Sequence, residues 1–583
     1  MPEKAIGVGH SIPTTRTPSR IAVFFSQPIN WVFLVVGSII AFLSLYPTFF
    51  LFYGSLTDAP LGVPGHFTLQ NYVRAYSDPE AYPLLLNSFI FGIGAAGLSL
   101  IFSLTLAWIT IRTNAPFRRL FELTAIIPNI LPPILVSISW VMLLNPSNGL
   151  INASIVKLLG VDKGPFNIYS MPGLIFVEAL ILTPLAFLII AAAMKSMDPS
   201  LEESAKTLGS NEFGVMRRIT FPLLRPAVLA AGTLNFVRAV ESFDTPAIIA
   251  LPARIEVFTT KIWREALGSF PTNHNLAAAY GVGILAIALV FVYLYRRFTS
   301  QVENYSTVTG KGFRPHQIDL GPWRYAASGV ALLLLVALVL LPILVLLLVA
   351  LLPYYHVPTW QTWQNLTLEN FRYVWATPRV HKAFINSLIL ALLGATLCML
   401  LASLASYITV RTKIAGRGII EGLVFIPWAF PGTAMALGLL WAYVDFPIPV
   451  YATIWIILIA YVTRFLPYGL RAVSSTIIQV HKELEEASIV CGAGFFATFR
   501  RIMIPMMRPG VMAGWIILVT IFMREFSATL FLYSPGAEPL GPLLYFLYLD
   551  GMRGRVAAIG LVISLISVIL IAIAQRYSRW DTN

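Results

Sequence analysis

Charge is what this sequence has least of. Asp, Glu, Lys and Arg make up only 11% of its 583 residues, where a soluble domain carries about 25%, so water is not the solvent for most of the chain. Cysteine is nearly missing too. Cys398 lies within an apolar run and Cys491 in a polar stretch, which excludes a disulfide framework and a cysteine-built metal cluster. The seven histidines are scattered without HExxH spacing, and neither GxxxxGKS nor GxxxxGKT occurs, so the residues offer no zinc-hydrolase helix and no phosphate-binding loop. No nucleophile–base or metal-ligand constellation stands out. An intramembrane enzyme is disfavoured on that ground, and no metal or other cofactor is expected in the chain.

What is present is apolar. Hydrophobic residues fill 57% of the sequence, and Trp31–Tyr53, Ala331–Leu352 and Ala557–Ile573 are almost free of charge. About 20 apolar residues suffice to cross a bilayer as a helix, so the chain reads as an all-α polytopic membrane protein. Twelve spans are expected, near 30–54, 86–111, 121–144, 172–194, 226–250 and 277–296, then near 325–353, 385–410, 418–444, 451–473, 509–532 and 557–576. The first is too long for a cleavable signal peptide and no small-residue cleavage site follows it, so it is expected to stay as an anchor. Lys and Arg alternate between loops: "VRTKIAGRG" (410–418) carries three, and the next loop, near 445–452, carries none. Basic loops remain inside, which places both termini in the cytoplasm. The formal net charge of +13 then reflects topology and attraction to anionic membrane lipid, and no nucleic-acid partner is expected.

The chain also repeats itself. "TLQNY" (68–72) returns as "TLENF" (367–371), "NSF" (87–89) as "NSL" (386–388), "IRT" (111–113) as "VRT" (410–412), and Ile127–Pro128 as Ile426–Pro427, all at an offset of 299. A polar island, "LEESAKTLGSNEFGVMRRITFPLLRP" from Leu201, returns from Leu484 as "LEEASIVCGAGFFATFRRIMIPMMRP" at an offset of 283. Two homologous six-span halves are expected, 26–298 and 323–583, with a cytoplasmic tail (1–25) and a polar linker (299–322). An even number of spans sets both halves the same way up, related by an axis along the membrane normal. The seam between them suits a transport pathway better than a duplicated scaffold.

Each island reads as a helix–turn–helix outside the membrane. Asp198 is the expected N-cap, Pro199 the first helical residue and Gly209 the stop. Leu201, Ala205 and Leu208 share one face, as do Leu484, Ser488 and Cys491, while Glu203 and Glu486 point elsewhere. A second short helix is expected to run to Ile219 or Ile502, where Pro222 or Pro505 breaks it.

With these motifs the sequence resembles the permeases of ABC importers. Glu203-Ser204-Ala205, three residues, Gly209, nine residues and Ile219-Thr220-Phe221-Pro222 are similar to the family's "EAA" loop. Glu486-Ala487-Ser488, Gly492 and Ile502-Met503-Ile504-Pro505 repeat it, with Ser204 and Ser488 in place of Ala and Phe221 and Ile504 in place of Leu. The resemblance implies the type I importer permease fold in the inner membrane of a bacterial cell. It implies two copies of a cytoplasmic ATPase that bind ATP and Mg, and a periplasmic or lipid-anchored solute-binding protein. It carries ATPase coupling onto Glu203, Ala205, Gly209, Ile219, Pro222, Glu486, Ala487, Gly492, Ile502 and Pro505. The chain itself is then a channel subunit and no enzyme.

For the cargo, "ESFDTPAIIALPARIEVFTTKIW" (241–263), "YVTRFLPYGLRA" (461–472) and "MREFSATLFL" (523–532) resemble ferric-iron permeases, with relatives for polyamines, thiamine, sulfate and phosphonates. Charges inside a membrane are costly and mark function. Glu178, Arg238, Glu241, Arg464, Arg524 and Glu525 are the candidate pathway residues, mutual ion pairing being the plainer alternative. A twelve-span transporter driven by an ion gradient shares the six-plus-six plan but gives no reason for two ATPase-docking islands.

Overall fold

The long apolar runs become helices because a backbone in hydrocarbon must satisfy its own hydrogen bonds. A computed structural model describes residues 28–125, 127–300 and 317–580, so the expected tail and most of the expected linker lie outside the described residues. The first half contributes α1 (Ile29–Ser55), α2 (Ala81–Arg112), α3 (Met171–Ser196), the short polar α4 (Pro199–Thr207), α5 (Met216–Glu241) and α6 (His274–Phe291). The second contributes α7 (Trp323–Leu351), α8 (Pro378–Arg411), α9 (Ile454–Gln479), the short polar α10 (Glu483–Val490), α11 (Phe496–Met523) and α12 (Arg553–Leu570). Without α4 and α10, ten helices among the described residues are long and apolar enough to cross a membrane.

Two of the twelve expected spans are therefore not continuous helices. The stretch expected at 418–444 is Arg417–Ala429 and Gly432–Tyr443, meeting at 106°. Its counterpart at 121–144 is Arg118–Thr124, a 3-10 turn at Ile127–Ile130 and Pro133–Leu144. Proline explains both breaks, since it lacks an N–H and disfavours the helical conformation in the residue before it. Pro128, Pro132 and Pro133 stand at the first break, Pro427 and Pro431 at the second.

The fifth span of each half departs from expectation in the other direction. It begins within the island and ends at Glu241 or Met523, short of the expected 250 and 532. Pro222 and Pro505 do not break it. A π turn, Met216–Thr220 or Phe499–Met503, precedes each proline and leads straight into the span. The wider turn shifts the ladder by one residue, and each proline sits in the first turn after it, where a missing N–H is tolerated.

The halves are laced together. Gly432–Tyr443 of the second half packs on α1 of the first, and Pro133–Leu144 of the first half packs on α7 of the second. Small residues allow the close approach: a Cβ on Gly438 would lie 2.5 Å from the Pro47 carbonyl oxygen. The repeated motifs turn out to be anchors. The buried Asn71 and Asn370 donate to carbonyls at the ends of α1 and α7, at 2.7–3.1 Å. Asn87 and Asn386 donate to the carbonyls of Glu256 and Glu538, and Ser88 and Ser387 accept from the amides of Phe258 and Leu540. These last four hold the segment that follows the fifth span.

Candidate functional site

Asp198 caps α4 by accepting from the Ser200 amide at 2.9 Å. Gly209 ends the helix at φ +85°, and Gly492 ends α10 at φ +82°. A Cβ at either glycine would meet nothing within 4 Å, so the requirement for glycine lies in the left-handed backbone alone. Glu203, Glu486 and Ala487 are exposed, Ala205, Ile219 and Ile502 are half-buried, and Pro222 and Pro505 are exposed. Leu208 is 87% exposed. That apolar residue gains little cover from the described residues, so each loop offers a carboxylate, and the first a bare leucine beside it, to whatever docks there.

The residue next to each of these glutamates does the opposite. Glu202 is buried, and Arg112 Nη1, at the end of α2, donates to its Oε2 at 2.9 Å. Thr220 Oγ1 donates to the other carboxylate oxygen at 2.8 Å, and Arg112 Nη2 donates to the Met194 carbonyl of α3 at 3.2 Å. The second half repeats this at the equivalent positions. Arg411 Nε lies 3.1 Å from Glu485 Oε1, and Arg411 Nη2 donates to the Ile477 carbonyl at 3.0 Å. The Arg411–Glu485 pair is an ionic contact without hydrogen-bond alignment. Met503 replaces Thr220, and Tyr407 supplies the hydroxyl instead, donating to Glu485 Oε2 at 3.1 Å. Spacing from the family motif does not point to these pairs. The signal that does is the repetition of Arg112 at offset 299 and Glu202 at offset 283.

A second constellation lies where α5 and α11 end. Phe243 stacks on Phe526, centroids 5.8 Å apart and planes 17° apart, and Ser527 Oγ donates to Asp244 Oδ2 at 2.9 Å. Both contacts join a residue to its own repeat equivalent at offset 283, which two copies related by a two-fold can do only beside the axis. The seam is closed at this level. Non-helical backbone at membrane depth survives only where protein buries it or where it lines a pathway, and broken helices at mid-membrane are where transporters place their sites.

The expected pathway charges gather around that point. Arg464 and Glu525 are 3.5 Å apart, and Glu525 also accepts from the Ala528 and Thr529 amides at 2.9 and 3.1 Å. Ser242 Oγ donates to Glu178 at 3.1 Å. Glu241 interacts electrostatically with Arg464 and Arg238, and Arg524 with Arg238 and Asp244. Asp244 interacts with both Glu525 and Arg464; it is absent from the candidate charges, although it stands three residues from Glu241.

Outside the spans, the segments behind this seam carry ion pairs. Lys261 is buried within 3.2 Å of Glu265, 3.6 Å of Glu80 and 3.9 Å of Glu256. Burial holds the Glu256 carboxyl above its usual range, with Arg264 and Lys261 pulling it back. In the second half Arg379 forks onto Glu538 at 2.8 and 2.9 Å.

Residues 99–304 and 399–580 each match the family described as binding-protein-dependent transport system inner membrane component. The chain is 27% identical over 544 residues, 92% of its length, to the ferric transport system permease protein FbpB of Actinobacillus pleuropneumoniae, covering 76% of that protein. It is 27% identical over 509 residues to the putative ferric transport system permease protein FbpB 1 of Haemophilus influenzae, covering 86% of this chain and 77% of that one. The spermidine/putrescine transport system permease protein PotC of Escherichia coli is 25% identical over 38% of this chain and 83% of its own length. A crystal structure of a bacterial ABC transporter involved in the import of the acidic polysaccharide alginate aligns at TM-score 0.39 and 20% identity, over 48% of this chain and 99% of that one.

Proposed function

The chain belongs to the family of binding-protein-dependent transport system inner membrane components, and from that premise we propose that it is the fused, two-half permease of an ATP-driven importer of ferric iron. The observation that carries the importer reading is the duplicated loop, with Glu203 and Glu486 exposed and Gly209 and Gly492 each setting the same left-handed stop. An ATPase dimer has two clefts related by a two-fold axis, so a single-chain permease must present two such loops. They face the cytoplasm, as do both termini, and a solute-binding protein docks on the opposite face. The coupling residues are Glu203, Ala205, Gly209, Ile219 and Pro222 with Glu486, Ala487, Gly492, Ile502 and Pro505. ATP and Mg are bound by two copies of the ATPase, and this chain performs no catalysis.

The ferric reading rests on the two relatives of that function and on the carboxylates at the seam. Ferric iron is a hard cation that prefers oxygen ligands. Glu178, Glu241, Asp244 and Glu525 supply oxygens along the path, and Arg238, Arg464 and Arg524 keep a trivalent ion from being held too tightly. A polyamine is the second reading, favoured by the polyamine relative, and it too would use the carboxylates.

The test is reconstitution of the permease with its ATPase in liposomes. Loaded binding proteins are added in turn, one carrying ferric iron and one carrying spermidine. Hydrolysis stimulated by the ferric form alone supports the proposal, and stimulation by spermidine alone replaces it with the polyamine reading. Hydrolysis by the purified permease without any ATPase overturns the importer reading itself.

A further inference from the structure

Arg112 contacts three elements at once. It ends α2, it is 2% exposed, and its guanidinium joins Glu202 of α4 to the Met194 carbonyl and the Met197 sulfur at the end of α3. Arg411 makes the equivalent set with Glu485, the Ile477 carbonyl and the Val480 carbonyl. The side chains of Arg411 and Glu485 are 5% and 14% exposed. A planar fork with several fixed donors suits such a junction, where a lysine would reach one partner at a time.

A buried ion pair has a mechanical consequence. Separating it strands two charges away from water, which costs far more than bending a helix. Any motion of the molecule therefore keeps the pair closed and carries α2, the end of α3 and α4 together as one body. The strain must fall on softer places, and a π turn follows each loop, at Met216–Thr220 and Phe499–Met503. Such turns often mark functional sites within helices.

We propose that Arg112–Glu202 and Arg411–Glu485 are positioning pairs for transport, the rigid links through which displacement of each coupling helix moves the second and fourth spans of its half. This rests on the importer reading above. The two links are not equally braced. The segment entering α7 pairs with the end of α2: the Ile318 amide donates to the Arg112 carbonyl at 2.7 Å, and the Asn114 amide to the Ile318 carbonyl at 3.2 Å. Ile318 also lines the recess formed by Trp108, Arg112 and Glu202. The first link is the stiffer of the two.

Glu202→Gln and Glu485→Gln keep the size of each side chain and remove the charge. In the reconstituted complex each variant is expected to stay assembled with the ATPase and to hydrolyse ATP at the basal rate. Each should lose most of the stimulation given by the loaded binding protein and most of the transport per ATP, Glu485→Gln more severely. Arg112→Lys, which retains the charge, should fall between wild type and Glu202→Gln. A second measurement does not depend on a damaging substitution. Spin labels at Ser196 and Thr207, both exposed, should keep one distance between the nucleotide-free and ATP-bound complexes, because α3 and α4 move together. A distance that changes with nucleotide overturns the proposal, as does unaltered coupling in the double Gln variant. So does a loss of transport that merely tracks loss of assembly or of thermal stability. A wild-type complex that shows no dependence on ATPase and binding protein refutes the importer reading instead, and the variants would then not be needed to see it.

Discussion

Glu202 and Glu203 are neighbours in sequence and opposites in the fold. Glu203 could be picked out because its spacing to Gly209 resembles the loop of the importer permeases, and that pattern is local. Glu202 could not, because its role is set by Arg112, 90 residues away. The glycines were legible for the same local reason, and they give a graded test. At φ +85° and +82° a side chain costs about 1 kcal/mol or more, while Asn tolerates the left-handed region better than Ala or Val. With open space around both positions, no clash complicates the order. Gly209→Asn should therefore disturb coupling least, Gly209→Ala more and Gly209→Val most, with the melting temperature of the spans nearly unchanged. Hydrogen exchange over residues 199–209 reads the local effect. Equal transport and equal exchange in all three would show that the left-handed stop is dispensable. The equivalent changes at Gly492 should rank alike.

Elements were legible where one long apolar run makes one helix, as in α1, α7 and α8. They were misread where proline and register act together. Pro431 and its neighbours split the third span, because hydropathy alone does not see a missing N–H. Pro222 and Pro505 looked like breaks and are not, because a π turn moves the ladder past them. The segments after Glu241 and Met523 looked like the ends of spans, since their residues are apolar, yet they are held as short turns and helices by side chains from α2 and α8. Asn87 and Asn386 are the test of that hold. Replacing either with Ala leaves a carbonyl of the segment without its donor, at a cost of about 1–3 kcal/mol. Each change is expected to lower the thermal stability in detergent and to raise hydrogen exchange across 256–268 or 538–549. Because these segments carry the Phe243–Phe526 contact, the double variant should also leak cargo without ATP. A lowered melting temperature with no leak would mean that the segments brace the fold without closing the pathway.

At the scale of the whole molecule the repeat announced two halves, and it could not announce how they are joined. Sequence order suggests two bundles side by side with a linker between them. The packing is crossed instead: α1 lies against Gly432–Tyr443, and α7 against Pro133–Leu144. Each half thus lends its first helix to the other, and this exchange holds whether or not the chain is continuous. The linker then matters for stoichiometry, keeping one of each half per complex, more than for cohesion. A chain cut between residues 305 and 306, with the two parts expressed together, is expected to give halves that co-purify in detergent and still transport. The crossing point supplies the control. A Cβ at Gly438 would press on the Pro47 backbone, which cannot swing aside as a side chain would, so Gly438→Leu should separate the cut halves while leaving the uncut protein assembled and less stable. If the cut halves fail to co-purify without any second change, the linker itself holds the molecule together and the crossed helices are passengers.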